Sequence, residues 1–219
     1  MRDLQRPGRS PVAAPTAMAS TSHPLASQAA VNILQTGGNA IDAAIAAAAV
    51  QAVVEPGSTS LGGDCFCLYT PAGADRPIAF NGSGRAPLGL SSEWLLERGI
   101  SEISQKSPHS VTIPGAVDAW VQLNNDHGRL SLAHILAPAI TYARYGYPIT
   151  QRVASDFAAG CDVLDSDGVA VFLEQGSPPE MGRRHSQPAL ARTMELIGKK
   201  GRDGFYKGPV ADDILAKLR

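Results

Sequence analysis

Asn81-Gly82-Ser83-Gly84-Arg85-Ala86-Pro87 is the stretch of this chain best furnished for chemistry. Its glycines let the backbone approach a ligand closely and take up positive φ. Arg85 carries a planar fork of donors that can grip a carboxylate at two points. Directly after a strand, such a loop suits the anionic end of an amino-acid-like substrate. The same residues also read as a tight turn bearing a surface arginine.

A second segment, Gly57 to Gly63, follows Val53-Val-Glu-Pro56 and reads as a tight loop between a helix and a strand. It contains neither Gly-Lys-Ser/Thr nor Gly-x-Gly-x-x-Gly, so nucleotide binding is not expected. The histidines at 23, 109, 127, 134 and 185 are scattered without metal-ligand spacing, and neither a metal nor a cofactor is expected. Ser58, Ser60 and Ser83 lie outside any Gly-x-Ser-x-Gly elbow. Cys65, Cys67 and Cys161 make an odd set, which argues against a disulfide framework. Cys65 and Cys67 read as buried, unreactive thiols.

The elements that must hold these loops are legible from periodicity. Leu25, Ala29, Ile33 and Leu34 recur at helical spacing, with Ser22 as the expected N-cap, Pro24 in the first turn and Gly37-Gly38 as the stop. Asn39 caps a second, alanine-rich helix over 40–54, ended by Pro56 and close to its neighbours. Asp42 in its first turn reads as a structural partner, favoured there by the helix dipole. A strand over 13–20 is expected first, then a hairpin of strands at 64–70 and 77–81. A further strand is expected over 109–113. Helices are expected over 92–98, 116–125, 132–145, 150–159 and 187–199, with Pro138 kinking or breaking one of them. Trp120 is placed in the core, and Asp212-Asp213 on the solvated face of a C-terminal helix. The order is no regular β-α-β alternation, so the fold class is a helix-rich α/β (α+β) arrangement with helices layered over a sheet.

Composition narrows the function. The 219 residues are 44% apolar with a net charge of −1, from 19 basic and 20 acidic residues. That balance gives no electrostatic footing for nucleic acid or an anionic membrane surface. No stretch reads as a membrane span or as the apolar core of a secretory signal, which points to the cytoplasm. Residues 1–12 read as a flexible N-terminal arm, and 13–219 as one continuous portion of a domain.

Taken in order, Ser20-Thr-Ser-His-Pro-Leu-Ala26, Gly37-Gly-Asn-Ala-Ile-Asp-Ala-Ala44, Val53-Val-Glu-Pro56, Leu61-Gly-Gly-Asp-Cys-Phe66 and Asn81 to Pro87 resemble the N-terminal half of the γ-glutamyltranspeptidase (glutathione hydrolase) family. Ser110-Val-Thr-Ile-Pro-Gly-Ala-Val-Asp-Ala-Trp120, Leu136 to Pro148 and Gly204-Phe-Tyr-Lys-Gly-Pro209 extend the likeness over roughly residues 14 to 219. The resemblance implies part of the αββα sandwich of N-terminal-nucleophile hydrolases. It implies amide cleavage or acyl transfer by a Thr freed by self-cleavage, whose own α-amine serves as base. It also implies that Arg85, with Ser83 and Asn81 in the loop and Gly62 and Gly63 nearby, binds the substrate carboxylate. Typical transpeptidases read Asp-Gly-Arg-Glu-Thr-Ala-Pro here, so an ungapped match sets Ser83 opposite their Arg, with Arg85 two positions on. That shift, and Asp64-Cys65 after Gly62-Gly63, are more similar to the glutathione-hydrolase-like and oxamate amidohydrolase branch.

No Thr of this sequence lies in the family's cleavage context. The expectation is a large-subunit portion, inactive alone, whose partners are a small γ-glutamyl or other amide substrate and a complementary Thr-bearing C-terminal half or small subunit. Without that half, exposed strand edges and apolar surface are expected. The alternatives are a non-catalytic amino-acid- or peptide-binding remnant of the family and an oxamate-type amidohydrolase.

Overall fold

Pro24 and a glycine stop bound the first helix, α1 (Pro24–Gln35), in a computed structural model that describes residues 11–104 and 106–218. The N-terminal arm inferred from the sequence lies almost wholly outside the described residues. Gly37 turns the chain at φ +97°, and the Gly38 N–H closes on the Ile33 carbonyl at 2.9 Å. The cap is displaced by one residue from the expected Ser22. His23 is the N-cap, its Nδ1 accepting from the Leu25 N–H at 3.2 Å, because the Ser22 hydroxyl donates to the Glu55 carboxylate instead.

Helix α2 (Ala40–Val54) is buried on almost every side, as an apolar helix between neighbours must be. Asn39 and Asp42 cap it reciprocally. The Asp42 carboxylate, fully buried, does more than cap. It accepts from the main-chain N–H groups of Asn39 (3.0 Å), Arg129 (3.0 Å) and Leu130 (3.3 Å), and from Asn124 Nδ2 at 3.3 Å. The structural role read for Asp42 is thus a junction between α2 and the turn near residue 128.

The expected hairpin follows. β1 (Cys65–Tyr69) and β2 (Ile78–Gly82) pair antiparallel, with Cys65 opposite Gly82 and Tyr69 opposite Ile78. One face, carrying Cys65, Cys67, Tyr69 and Phe80, packs on the core. The other presents Phe66 and Leu68, which are 70% and 78% exposed. The expected strand over 13–20 does not form: these residues are mostly exposed and pair with no other described strand.

α3 (Ser92–Leu96) precedes a 3-10 turn, Pro108–Ser110, which replaces the strand expected at 109–113. Pro108 and the Ser107 hydroxyl, which accepts from the His109 N–H, start that turn, and only the residues after it run extended. Then come α4 (Ala116–His127), α5 (Leu132–Tyr145), β3 (Tyr147–Pro148) and α6 (Gln151–Gly160). A second 3-10 turn (Cys161–Val163), α7 (Ser166–Phe172), β4 (Arg184–His185), α8 (Pro188–Lys200), α9 (Asp203–Tyr206) and α10 (Pro209–Leu218) complete the chain. α5 is not broken at Pro138. Ile135, Leu136 and Ala139 around it are fully buried, and that packing offsets the roughly 3 kcal/mol an interior proline costs. α1 and α5 flank α2, α8 lies on α5, and α4 sits against the hairpin. Trp120 is in the core, and Asp212 and Asp213 are exposed, as expected. Among the described residues no helix is long and apolar enough to cross a membrane.

Two buried imidazoles make the stability of this core pH-dependent. His23 and His185 each keep a buried Nε2 without a hydrogen-bond partner, and burial holds both below the usual histidine value of 6.5. Glu55 and Glu174 oppose that shift but do not cancel it. The unfolded chain therefore takes up protons at these positions before the folded one does, so stability falls as pH drops below about 6.5. Urea midpoints at pH 7.5, 6.5 and 5.5 are expected to decline in that order; equal midpoints would refute this reading.

Candidate active site

The loop that leaves β2 is built on main-chain contacts. Asn81 Oδ1 accepts from the Ser83 N–H at 3.0 Å and the Ser83 hydroxyl at 2.7 Å, folding the loop over its own start. The Gly84 N–H donates to Asp64 Oδ1 at 2.6 Å, which ties the loop to the residue before β1. The Arg85 carbonyl accepts from the Ile113 N–H at 3.0 Å. The Gly63 carbonyl accepts from both Gly115 N–H (3.0 Å) and Ala116 N–H (2.9 Å), so it caps α4, which has no side-chain cap.

Three stretches of chain, 63–64, 82–85 and 113–116, thus meet with little between their backbones. Only glycine permits the approach. A Cβ at Gly84 would stand 1.9 Å from the Ile113 carbonyl oxygen, and one at Gly115 would stand 2.2 Å from that of Gly82. Tyr206 braces the same corner: its hydroxyl donates to the Pro114 carbonyl at 2.6 Å and accepts from the Asp118 N–H at 3.0 Å.

The sequence-derived candidates fall as follows. Asn81, Ser83 and Gly63 come together through Asp64 and the loop, whereas at Gly62 an added Cβ would meet only the Ser60 hydroxyl, so no tight approach requires a glycine there. Arg85 is exposed and its side chain forms no hydrogen bond or ion pair with the described residues, leaving its guanidinium available to a ligand. Cys65 and Cys67 are half-buried rather than buried; burial raises both thiols, and their mutual repulsion raises Cys65 further, which keeps them poor nucleophiles. Sequence reasoning missed the parts played by Asp64 and Tyr206. For Asp64, the available signal was a carboxylate next to a glycine-rich turn, whose free N–H groups need an acceptor.

Comparison with known proteins decides what this corner belongs to. The family model described as gamma-glutamyltranspeptidase matches residues 26–219. The chain belongs to the γ-glutamyltranspeptidase family. It is 38% identical over 205 residues to a glutathione hydrolase-like proenzyme, YwrD, of Bacillus subtilis, covering 92% of this chain and 39% of that protein. It is 40% identical over 205 residues to an oxamate amidohydrolase proenzyme of Klebsiella pneumoniae, covering 90% of this chain and 38% of that protein. The chain therefore spans about two-fifths of the length of these curated relatives.

Among solved structures it is similar to the γ-glutamyltranspeptidase of Helicobacter pylori, with TM-score 0.87 and 29% identity over 95% of this chain and 61% of the other. It is also similar to a cephalosporin acylase from Bacillus halodurans, with TM-score 0.84 and 36% identity over 96% of this chain and 42% of the other. The family's relatives are enzymes, and its α/β fold, that of the N-terminal-nucleophile hydrolases, is the fold of this chain. Within it, one face of the hairpin packs on α4 and the core, and the Phe66–Leu68 face is exposed.

Proposed function

We propose that this chain is the substrate-binding, large-subunit portion of a γ-glutamyltransferase- or glutathione-hydrolase-like amide hydrolase, with Arg85 gripping the substrate carboxylate. The observation that carries the reading is the unpaired Arg85 guanidinium at the end of a loop fixed by main-chain bonds to Asp64 and Ile113. The fixed backbone sets where the guanidinium can reach, and its planar fork of donors suits a bidentate grip on a carboxylate. Asn81 and Ser83 shape the loop and offer polar atoms beside it. The nucleophile is a Thr on a complementary half or small subunit, and no cofactor is required.

The exposed Phe66 and Leu68 support the partner half of this proposal. An apolar strand face of this kind is what a second layer of a sandwich covers. Cysteines without disulfides support a cytoplasmic location. The acyl group is a γ-glutamyl unit or a smaller amide such as oxamate, since one relative bears each name.

The test is hydrolysis of a γ-glutamyl anilide and of oxamate by the chain alone and after addition of the Thr-bearing half of a relative. Activity is expected only in the mixture, and Arg85→Ala is expected to lower kcat/KM by roughly a hundredfold, the loss of a charge-assisted bidentate contact. Full activity of Arg85→Ala in the mixture would overturn the assignment of Arg85. Activity of the chain alone would overturn the need for a partner.

A further inference from the structure

Beyond the C-terminal end of α2, a cavity of about 400 Å³ opens between residues 55–58, α6, the second 3-10 turn and α7. Its walls are largely apolar, formed by Val153, Phe157, Val163, Leu164 and Phe172, and none of the described residues lining it is basic. The volume falls in the lower range of small-molecule sites, which pair apolar walls with a few placed polar groups.

The placed group here is Glu55, which lines the cavity although it is only 7% exposed. The Ser22 hydroxyl and Gln51 Nε2 both donate to its Oε2, and no described residue donates to Oε1. Oε1 is thus the free acceptor of a largely buried carboxylate that faces the cavity, and a cationic donor there makes a stronger, charge-assisted bond than a neutral one does. The phenol of Tyr147, itself without a partner, is pushed well above its usual range by burial and by the Glu55 charge, so the negative potential extends behind the wall. Asp156 at the rim is held by Arg152 at 3.0 Å. Phe157 and Phe172 pack on each other with centroids 6.0 Å apart and tilted by 42°, and both rest against the His185 ring, so they form a fixed aromatic wall of the cavity.

We propose that this cavity binds a small organic ammonium ion, its charge on Glu55 and its apolar body against the walls formed by Val153, Val163 and Leu164. An anion is opposed by Glu55, a neutral hydrocarbon leaves Oε1 unpaired, and a divalent metal finds too few oxygens on such walls. The inference stands apart from the Arg85 loop and does not depend on it.

Calorimetric titration of the full chain with benzylammonium, and with benzyl alcohol as its neutral near-isostere, tests it. Benzylammonium is expected to bind saturably and roughly tenfold or more tighter than the alcohol, as a charge-assisted bond to a buried carboxylate requires. Glu55→Gln is expected to remove that preference. Ala159→Trp, which sets a bulky ring on the cavity wall and leaves Glu55 unchanged, is expected to abolish binding, and it decides the matter if Glu55→Gln fails to fold. Absence of saturable binding, equal affinity for the alcohol, or binding that survives Ala159→Trp would each overturn the proposal.

Discussion

Replacing Asp42 by Ala is expected to destabilise the chain by about 3–5 kcal/mol, the largest single loss anticipated here. The fully buried carboxylate serves three main-chain N–H groups and one side-chain amide. Removing it takes the acceptor from the three N–H groups, while Asn124 Nδ2 keeps the Leu130 carbonyl, and each buried orphan costs about 1–3 kcal/mol before relaxation. For a chain of this size the loss corresponds to a fall in Tm of roughly 6–20 °C. Asp42→Asn keeps the shape but turns an NH2 group toward N–H donors, so it is expected to fall between wild type and Ala. Urea unfolding of the three proteins gives the ranking. A loss below about 1 kcal/mol for Asp42→Ala would mean that the junction between α2 and the turn near 128 is held by something else.

The second large effect concerns chemistry rather than folding. Gly84→Ala sets a methyl group 1.9 Å from the Ile113 carbonyl oxygen, so the loop or the 113–116 segment must give way. The loop yields more readily, because Ser83, Arg85 and Ala86 are exposed. Displacing Arg85 by about 1 Å is expected to cost on the order of a hundredfold in amide hydrolysis by the mixture with a Thr-bearing half. Thermal stability is expected to change little. Backbone amide spectra give a readout independent of activity, with shifts confined to 63–64, 82–86 and 113–116. Undiminished hydrolysis with unchanged spectra at those positions would show that the three stretches are not in the contact described.

How much of this was legible in the sequence depends on the range of the forces involved. α2 was legible to the residue because everything that defines it is local: Asn39 before it, Asp42 three residues on, an alanine-rich body and Pro56 beyond its end. The hairpin was legible for the same reason, through the alternation of Cys65, Phe66, Cys67, Leu68 and Tyr69. The failures were all tertiary. Ser22 looked like a cap but donates to Glu55, which lies 33 residues along the chain. Extended character at 109–113 was read as a strand, yet Ser110 and Val111 bond locally to Ser107 and Pro108, and among the described residues only Ile113 reaches a distant main-chain partner, the Arg85 carbonyl. The glycines of the candidate site were visible and their importance was inferred, but not that Gly84 and Gly115 abut backbone or that Asp64 is the tie. No local pattern encodes which carbonyl a glycine must face.

The Gly63 carbonyl, shared by the first amides of α4, joins two things usually kept apart. A helix terminus is ordinarily the first part of a helix to fray, and a ligand-binding loop is ordinarily the first part of a domain to open. Here the two are linked. Fraying α4 releases Gly63, next to the Asp64 that Gly84 leans on, so motion at the start of the helix is passed to the base of the loop even though the loop itself is held only by the Gly84–Asp64 and Ile113–Arg85 bonds.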